Sequence, residues 1–486
     1  MTIKDLKPQI VWKYFDEITQ VPRPSKKEEK IIAYLLDFAK KHALEAKKDE
    51  AGNVLIEKKA SKGFENRAKV ILQSHVDMVC EKNNHTTHNF ETDPIETIVD
   101  NGYVKANGTT LGADDGIGMA AALAILASDE IEHGDMEAIF TVDEETGLTG
   151  ANALQKGFLT GSILLNLDSE EEGELCIGCA GGKATKAIFH YERETAPENL
   201  FWFEVEVKGL NGGHSGSEIN KGLGNANKIL NRFLWSLDRK YTLSLAEIKG
   251  GNLHNAIARE AYAKAGIPFD KKESLRVDLN LFVADIEDEL RSVDPHVKIE
   301  LQSTETPAWV IDKQTAKNLL NSLYVCPHGV LGMSFDIPGL VETSTNLASV
   351  KMTDNDTITV NTSQRSSTES LKNDAANRVN AAFTLAGANV EHTVGYPGWK
   401  PNTNSPILQV SVDSYKRLFG NEPTVKAIHA GLECGLFLDK YPNLDMVSFG
   451  PTITGAHSPD EKVEIATVEK WWSYVLDVLK NIPEKK

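Results

Sequence analysis

The sequence predicts an α/β protein, with a mostly parallel sheet flanked by helices and an inserted α+β domain. Short apolar runs at 70–72, 136–142 and 162–167 have the composition of strands buried on both faces, as in sheets covered by helices. The Ala-, Leu- and Ile-rich run 119–128 reads as a buried helix. Beyond residue 200 the pattern changes to alternation, F-W-F-E-V-E-V-K at 201–208, the mark of half-exposed strands. The Pro- and Gly-punctuated stretch 395–402 looks like a return crossing. These shifts place the first domain at 1–185 and 395–486, and an inserted domain of roughly 200 residues at 186–394.

In chain order, 8–44 is mostly helical, broken by a turn at Pro22-Arg23-Pro24-Ser25. After it, Ile31, Ile32, Leu35, Leu36 and Phe38 recur at helical spacing. A short strand is expected at 53–57, then the strand that leads into His75. The inserted domain carries a Gly-rich loop at 211–216, an amphipathic helix at 221–237, a strand at 357–361 and a helix at 371–385. The last part offers a helix at 406–418, a loop at 428–433, a strand at 446–450 and a final helix at 466–479. No internal repeat is visible in the sequence.

The chain has 486 residues, 41% of them hydrophobic, enough for a large core. Its formal charge of −18, from 52 basic and 70 acidic residues, argues against a nucleic-acid partner, which needs clustered Lys and Arg. The plain account of such a charge is solubility. The first residues lack the apolar core of a signal peptide, and no apolar run is long enough to span a bilayer. The five cysteines, an odd number, suit reduced thiols, and the expected compartment is the cytoplasm. Cys176 and Cys179 form a lone C-x-x-C, better explained as small core residues than as half of a zinc site.

The chemistry collects where the apolar runs end. The first ends in His75-x-Asp77, the second in Asp143-Glu144-Glu145-Thr146-Gly147, the third in Leu167-Asp168. Ligands of open α/β sheets gather beyond the carboxyl ends of the strands. Residues two apart on a strand share a side, so His75 and Asp77 face one space. Between the runs, Gly112-Ala113-Asp114-Asp115-Gly116 is a glycine-bracketed turn ahead of the buried helix. Each motif alone has a bland account: a solvated turn for H-x-D, an N-cap for either aspartate, two solvated acids for Glu144 and Glu145. Together they put at least five carboxylates and a histidine at one sheet edge, a crowding that repels unless cations neutralise it. His and Asp/Glu ligands without a thiolate suit zinc, with manganese or cobalt as substitutes. Glu144 and Glu145, taken as extended chain, would point opposite ways, one to ligate and one to move protons.

These motifs, with Gly455-Ala456-His457-Ser458-Pro459-Asp460-Glu461, resemble the di-zinc metallopeptidases of the aminoacylase and carnosinase type, and the likeness runs end to end. The resemblance implies a catalytic domain with an inserted lid and dimerisation domain, two Zn2+ ions per subunit and a homodimer. Asp114 would bridge the metals, His75 and Asp168 would complete one site, and Glu145 and His457 the other. Asp77 would orient His75, and Glu144 would be the general base and acid. A hydroxide between the metals would attack the peptide carbonyl of a dipeptide with a free N-terminus, Xaa-His dipeptides such as carnosine included. His214, in the inserted domain, would steady the oxyanion, and Arg365 would grip the substrate carboxylate. The loop with Gly431 and Glu433 would line the substrate cleft. Plain surface roles for His214 and Arg365 stay open from the residues themselves. The chain departs from many relatives at Gly116, where a Lys often follows the two aspartates.

Two other functions fit parts of the pattern. The same scaffold serves deacylation of N-acyl amino acids, and a non-catalytic metal- or peptide-binding protein would need the ligands but not a spare Glu beside them. A dinucleotide-binding oxidoreductase is excluded, because no G-x-G-x-x-G follows an early strand.

Overall fold

The computed structural model describes residues 2–485. The chain divides into two compact units. The first comprises the residues up to Gly178, Trp399–Ala427 and those from Leu432 on, and the second Cys179–Gly398 with Ile428–Gly431.

The first unit opens with helices α1 (Gln9–Thr19) and α2 (Glu29–Lys41), separated by the Pro22 turn. The strands of its main sheet are β1 (Glu45–Lys48), β2 (Val54–Lys58), β3 (Val70–His75), β4 (Met136–Thr141), β5 (Ile163–Asn166) and β6 (Glu174–Cys179), joined by Thr424–Ile428 and Asp445–Ser448. They lie in the order β1-β2-β4-β3-β5-(445–448)-β6-(424–428). β4, β3, β5 and 445–448 pair in parallel, while β2 against β4 and 445–448 against β6 are antiparallel. Every residue of β3, β4 and β5 is buried, which is why these runs are apolar without alternation. Helix α3 (Ala113–Ala127), apolar on all sides, packs against β3 and α1. The expected α/β class is therefore found, with its parallel part at the centre of the sheet.

The second unit contains β7 (Gly181–His190), β8 (Leu200–Lys208), α4 (Ala226–Tyr241), β9 (Ser244–Gly250), β10 (Ala261–Pro268), α5 (Lys272–Leu290), β11 (Lys298–Ser303), α6 (Lys313–Val325), β12 (Val341–Thr353), β13 (Thr357–Ser366), α7 (Glu369–Leu385) and β14 (Asn389–His392). Its main sheet runs β11-β8-β10-β9-β12-β13-β7-β14, with Gly329–Met333 pairing on β12. The order conceals a repeat that the sequence did not reveal. β8-α4-β9-β10-α5-β11 and β7-α6-β12-β13-α7-β14 are the same β-α-β-β-α-β succession with the same spatial order of strands. The two halves meet where Gly250 of β9 pairs with Val350 of β12. One core, including Phe203, Phe233, Leu319 and Phe383, runs through both. Helix α4 starts later than residue 221, because Gly222 takes φ +74° and Asn225 caps the helix, its side chain accepting from the Lys228 amide at 3.2 Å.

Candidate metal centre

β3 ends at His75, and β4 and β5 end just before the turns that carry Glu144, Glu145 and Asp168. Parallel pairing of these strands brings their carboxyl ends side by side. Asp114 and Asp115 stand at the start of α3, after Gly112 in the left-handed region, and the peptide between them is cis. His457 comes from a hairpin between Ile453–Thr454 and Lys462–Glu464. There Gly455 at φ +71° and His457 itself at φ +63° turn the chain.

The five residues expected to hold metals converge. His75 Nε2 lies 3.0 Å from Asp114 Oδ1 and 3.4 Å from Asp168 Oδ1. His457 Nε2 lies 3.2 Å from Asp114 Oδ2 and 3.0 Å from Glu145 Oε2. Donor atoms of His75, Asp114 and Glu145 all fall within 4.8 Å of one another. Asp114 thus turns one oxygen to each imidazole. Burial alone would lower the His75 pKa, but Asp168, Asp114 and Asp77 outweigh it and hold it well above the ordinary value. His457 is pushed to about 11 by its contacts with Asp114 and Glu145. Burial raises Asp168 to about 7. Ring nitrogens facing carboxylates at these distances need positive charge between them, from protons or from metal ions. Glu145 Oε1 is also buried without a partner. An imidazole and carboxylate set of this kind fits a divalent ion such as Zn2+, Mn2+ or Co2+.

Asp77 is buried on the far side of His75. Its Oδ1 lies 3.4 Å from His75 Nδ1, and its carboxylate accepts from Ser25 Oγ at 2.8 Å and from the amides of Glu144 and Glu145 at 3.0 and 3.2 Å. One carboxylate therefore fixes both the imidazole and the Glu pair. The pair is not extended chain as expected: Glu144–Gly147 is a helical turn, tied down by those two bonds to Asp77. Burial raises Glu144 well above the carboxylate range; His75 opposes this, and Asp168, Glu433 and Glu145 add to it. Asp114 and Asp115 have non-helical dihedrals, and Asp115 caps the regular part of α3 that follows, its Oδ1 accepting from the Gly118 amide at 3.1 Å.

Two buried ionisable residues here, Arg23 and Glu461, had no site role legible in the sequence, and a third, Glu433, stands differently from the cleft-lining place expected for it. Arg23, which read only as part of a turn, donates to the carbonyls of Val76 and Asp77 at 2.9 and 2.8 Å and to that of Gly112. Glu461 accepts from four successive amides, 111 to 114. Glu433 begins helix Glu433–Lys440 and is 1% exposed, so it lines no cleft. It accepts from Gln73 and Thr141, both at 2.7 Å, and burial pushes it to about 8. Gly116 also has a physical reason: a Cβ there would stand 2.7 Å from Arg23 Nη2, so the guanidinium occupies the room a longer side chain would need.

His214, Arg365 and Gly431 belong to the second unit, which gathers them with His429 and Tyr396. A Cβ on Gly216 would meet the His429 carbonyl at 2.2 Å, His214 Cε1 at 3.0 Å and Arg365 Nε at 3.2 Å. A Cβ on Gly431 would meet the Tyr396 ring at 2.9 Å. Arg365 donates to the Tyr396 hydroxyl at 2.9 Å, and its Nε is buried without a partner. His429 Nε2 pairs with Ser344 Oγ at 2.7 Å, while its Nδ1 is buried and unpartnered. Burial and Arg365 lower His214, and the same causes bring His429 to about 3.

Comparison with known proteins gives a consistent result. The family described as peptidase family M20/M25/M40 matches residues 71–481. The cytosol non-specific dipeptidase of Escherichia coli is 43% identical over 483 residues, covering 99% of either chain. The crystal structure of aminoacylhistidine dipeptidase from Vibrio alginolyticus superposes with a TM-score of 0.95 at 42% identity, over 100% of this chain and 99% of that one. A tripeptidase from Staphylococcus aureus, 18% identical with a TM-score of 0.57 over 98% and 99% of the two chains, shares the fold.

Proposed function

The chain belongs to peptidase family M20/M25/M40, and from that premise we propose that it is a dipeptidase working with two zinc ions, for which Mn2+ or Co2+ can substitute. The resemblance drawn from the motifs is thereby borne out at the level of family. Its substrates are dipeptides with a free N-terminus, Xaa-His dipeptides such as carnosine among them. The names of the Escherichia coli and Vibrio relatives support this substrate class, and the former supports a cytosolic setting. Among the described residues no helix is long and apolar enough to cross a membrane.

One observation carries the proposal: Asp114 offers an oxygen to each of two imidazoles, and each imidazole has a second carboxylate beside it. On this reading His75 and Asp168 hold one ion, His457 and Glu145 the other, and Asp114 both. When bound, such an ion pair lowers the pKa of water toward ~7 and polarises a carbonyl. Asp77 keeps His75 oriented with its Nε2 toward the ligand side. Glu144, buried and raised in pKa, is suited to take a proton from water and pass it to the leaving amine. In the second unit, Arg365 with an unused buried N–H suits a substrate carboxylate, and His214, held neutral, is suited to donate to developing negative charge.

A panel of free, N-acetylated and C-amidated dipeptides, assayed with the metal-loaded enzyme, tests the proposal. Free dipeptides should be cleaved fastest, and a chelator should stop the reaction until metal is restored. Preference for the N-acetylated forms would make the enzyme a deacylase instead.

A further inference from the structure

Two buried ions of opposite sign grip the segment that carries Asp114. Glu461, 2% exposed, accepts from the amides of Leu111 and Gly112 through Oε2 at 2.8 and 2.9 Å, and from those of Ala113 and Asp114 through Oε1 at 2.7 and 3.2 Å. Arg23, also 2% exposed, holds the same segment by the Gly112 carbonyl. Its other terminal nitrogen holds the carbonyls of Val76 and Asp77, next to His75. All of these bonds go to main chain. Burying a charge this deeply is unfavourable unless hydrogen bonds offset it, and main-chain groups supply four to Glu461 and three to Arg23.

The placement of the two side chains differs in a way that matters. Glu461 lies four residues after His457 on one hairpin, whose turn is closed by the Ser458 amide on the Gly455 carbonyl and the Glu461 amide on the Ser458 carbonyl. Glu461 therefore sets the distance between His457 and Asp114. Arg23 bridges the 76–77 segment to Gly112, and so sets the distance between His75 and Asp114.

The geometry points to Glu461 and Arg23 as positioning residues that tune the two metal sites separately, Glu461 the site at His457 and Arg23 the site at His75. This rests on the reading of the cluster as a two-metal centre. Glu461→Gln keeps the size of the side chain but turns an NH2 group toward two N–H donors, which removes two acceptor contacts and sets donor against donor. Arg23→Lys keeps the charge but loses the fork that spans two chain segments. Groups that orient metal ligands change metal affinity by about tenfold to a hundredfold when altered.

Titration of the metal-free enzyme with buffered Zn2+, with stoichiometry from elemental analysis and site occupancy from anomalous scattering, separates the outcomes. The unaltered enzyme should take up two ions; if it takes up none, the two-metal reading itself falls. Given two, E461Q should lose at least tenfold in affinity at the His457 site and keep the His75 site, with E461D intermediate. R23K should show the reverse pattern. Unaltered affinity at both sites in E461Q and R23K, or equal loss at both sites in each variant, overturns the inference. If E461Q does not fold, R23K alone decides by the same criterion.

Discussion

The imidazoles of the two candidate clusters, one in each unit, are displaced in opposite directions. In the first unit, His75 and His457 are held above their ordinary value by Asp168, Asp114 and Glu145. In the second, burial and the Arg365 guanidinium hold His214 and His429 below it. The same side chain thus reports a negative field in one place and a positive, desolvated one in the other. A negative field at exposed or buried ring nitrogens attracts cations, and unpartnered N–H groups beside a guanidinium suit an anion. The sign of the local field, rather than the residue type, thus separates an imidazole suited to a cation from one suited to an anion.

The largest expected effect tests what the acidic field is for. On the proposed function Glu144 moves protons and holds no metal, so Glu144→Ala should lower kcat by about a thousandfold while metal stays bound; near-normal turnover would remove Glu144 from the mechanism. Next, Arg365→Ala should raise KM for dipeptides with a free carboxylate, a loss of about 2–3 kcal/mol, and leave C-amidated dipeptides unaffected. Equal loss on both would show that the second cluster does not read an anion. Asp77→Asn should cut zinc affinity by about tenfold to a hundredfold, as measured by competition with a chelating dye. Unchanged affinity would mean that His75 keeps its orientation without that carboxylate.

The smallest effect concerns acid. His429 and His328 sit at about 3 and about 4, both lowered first by burial, against an ordinary 6.5 in the unfolded chain. Between those values the unfolded chain binds more protons than the folded one, so stability falls as pH drops from 6.5 toward 4. The second unit should lose about 1–3 kcal/mol over that window, and His429→Gln should flatten the decline in urea unfolding followed by hydrogen exchange. A second unit equally stable at pH 4.5 and 7 would contradict the burial of neutral imidazoles.

Part of the candidate site was legible because His75, Glu145 and Asp168 follow apolar runs, where parallel strands deliver them to one edge. His75, Asp168 and the Glu pair needed only the strand pattern and the turn that follows. The Glu144 turn was misjudged because its shape depends on Asp77, a contact between two strand ends that no local pattern encodes. Arg23 and Glu461 were missed as site residues for a related reason: each is a charged residue in a turn, where sequence statistics expect water. Only the fold shows them enclosed and bonded to main chain or buried polar groups. The twofold recurrence in the second unit was hidden because the halves share topology and not residues.

That recurrence has a bearing on how the chain is made. β7 opens one half, yet its helix α6 arrives only after the other half has been written in full between them. On the ribosome the inner half can close as soon as β11 emerges, whereas the outer half must hold its first strand unmatched for more than a hundred residues of synthesis. Maturation of the second unit should therefore proceed from the inside outward, with Gly250 and Val350 meeting late, as the seam between an early and a delayed partner.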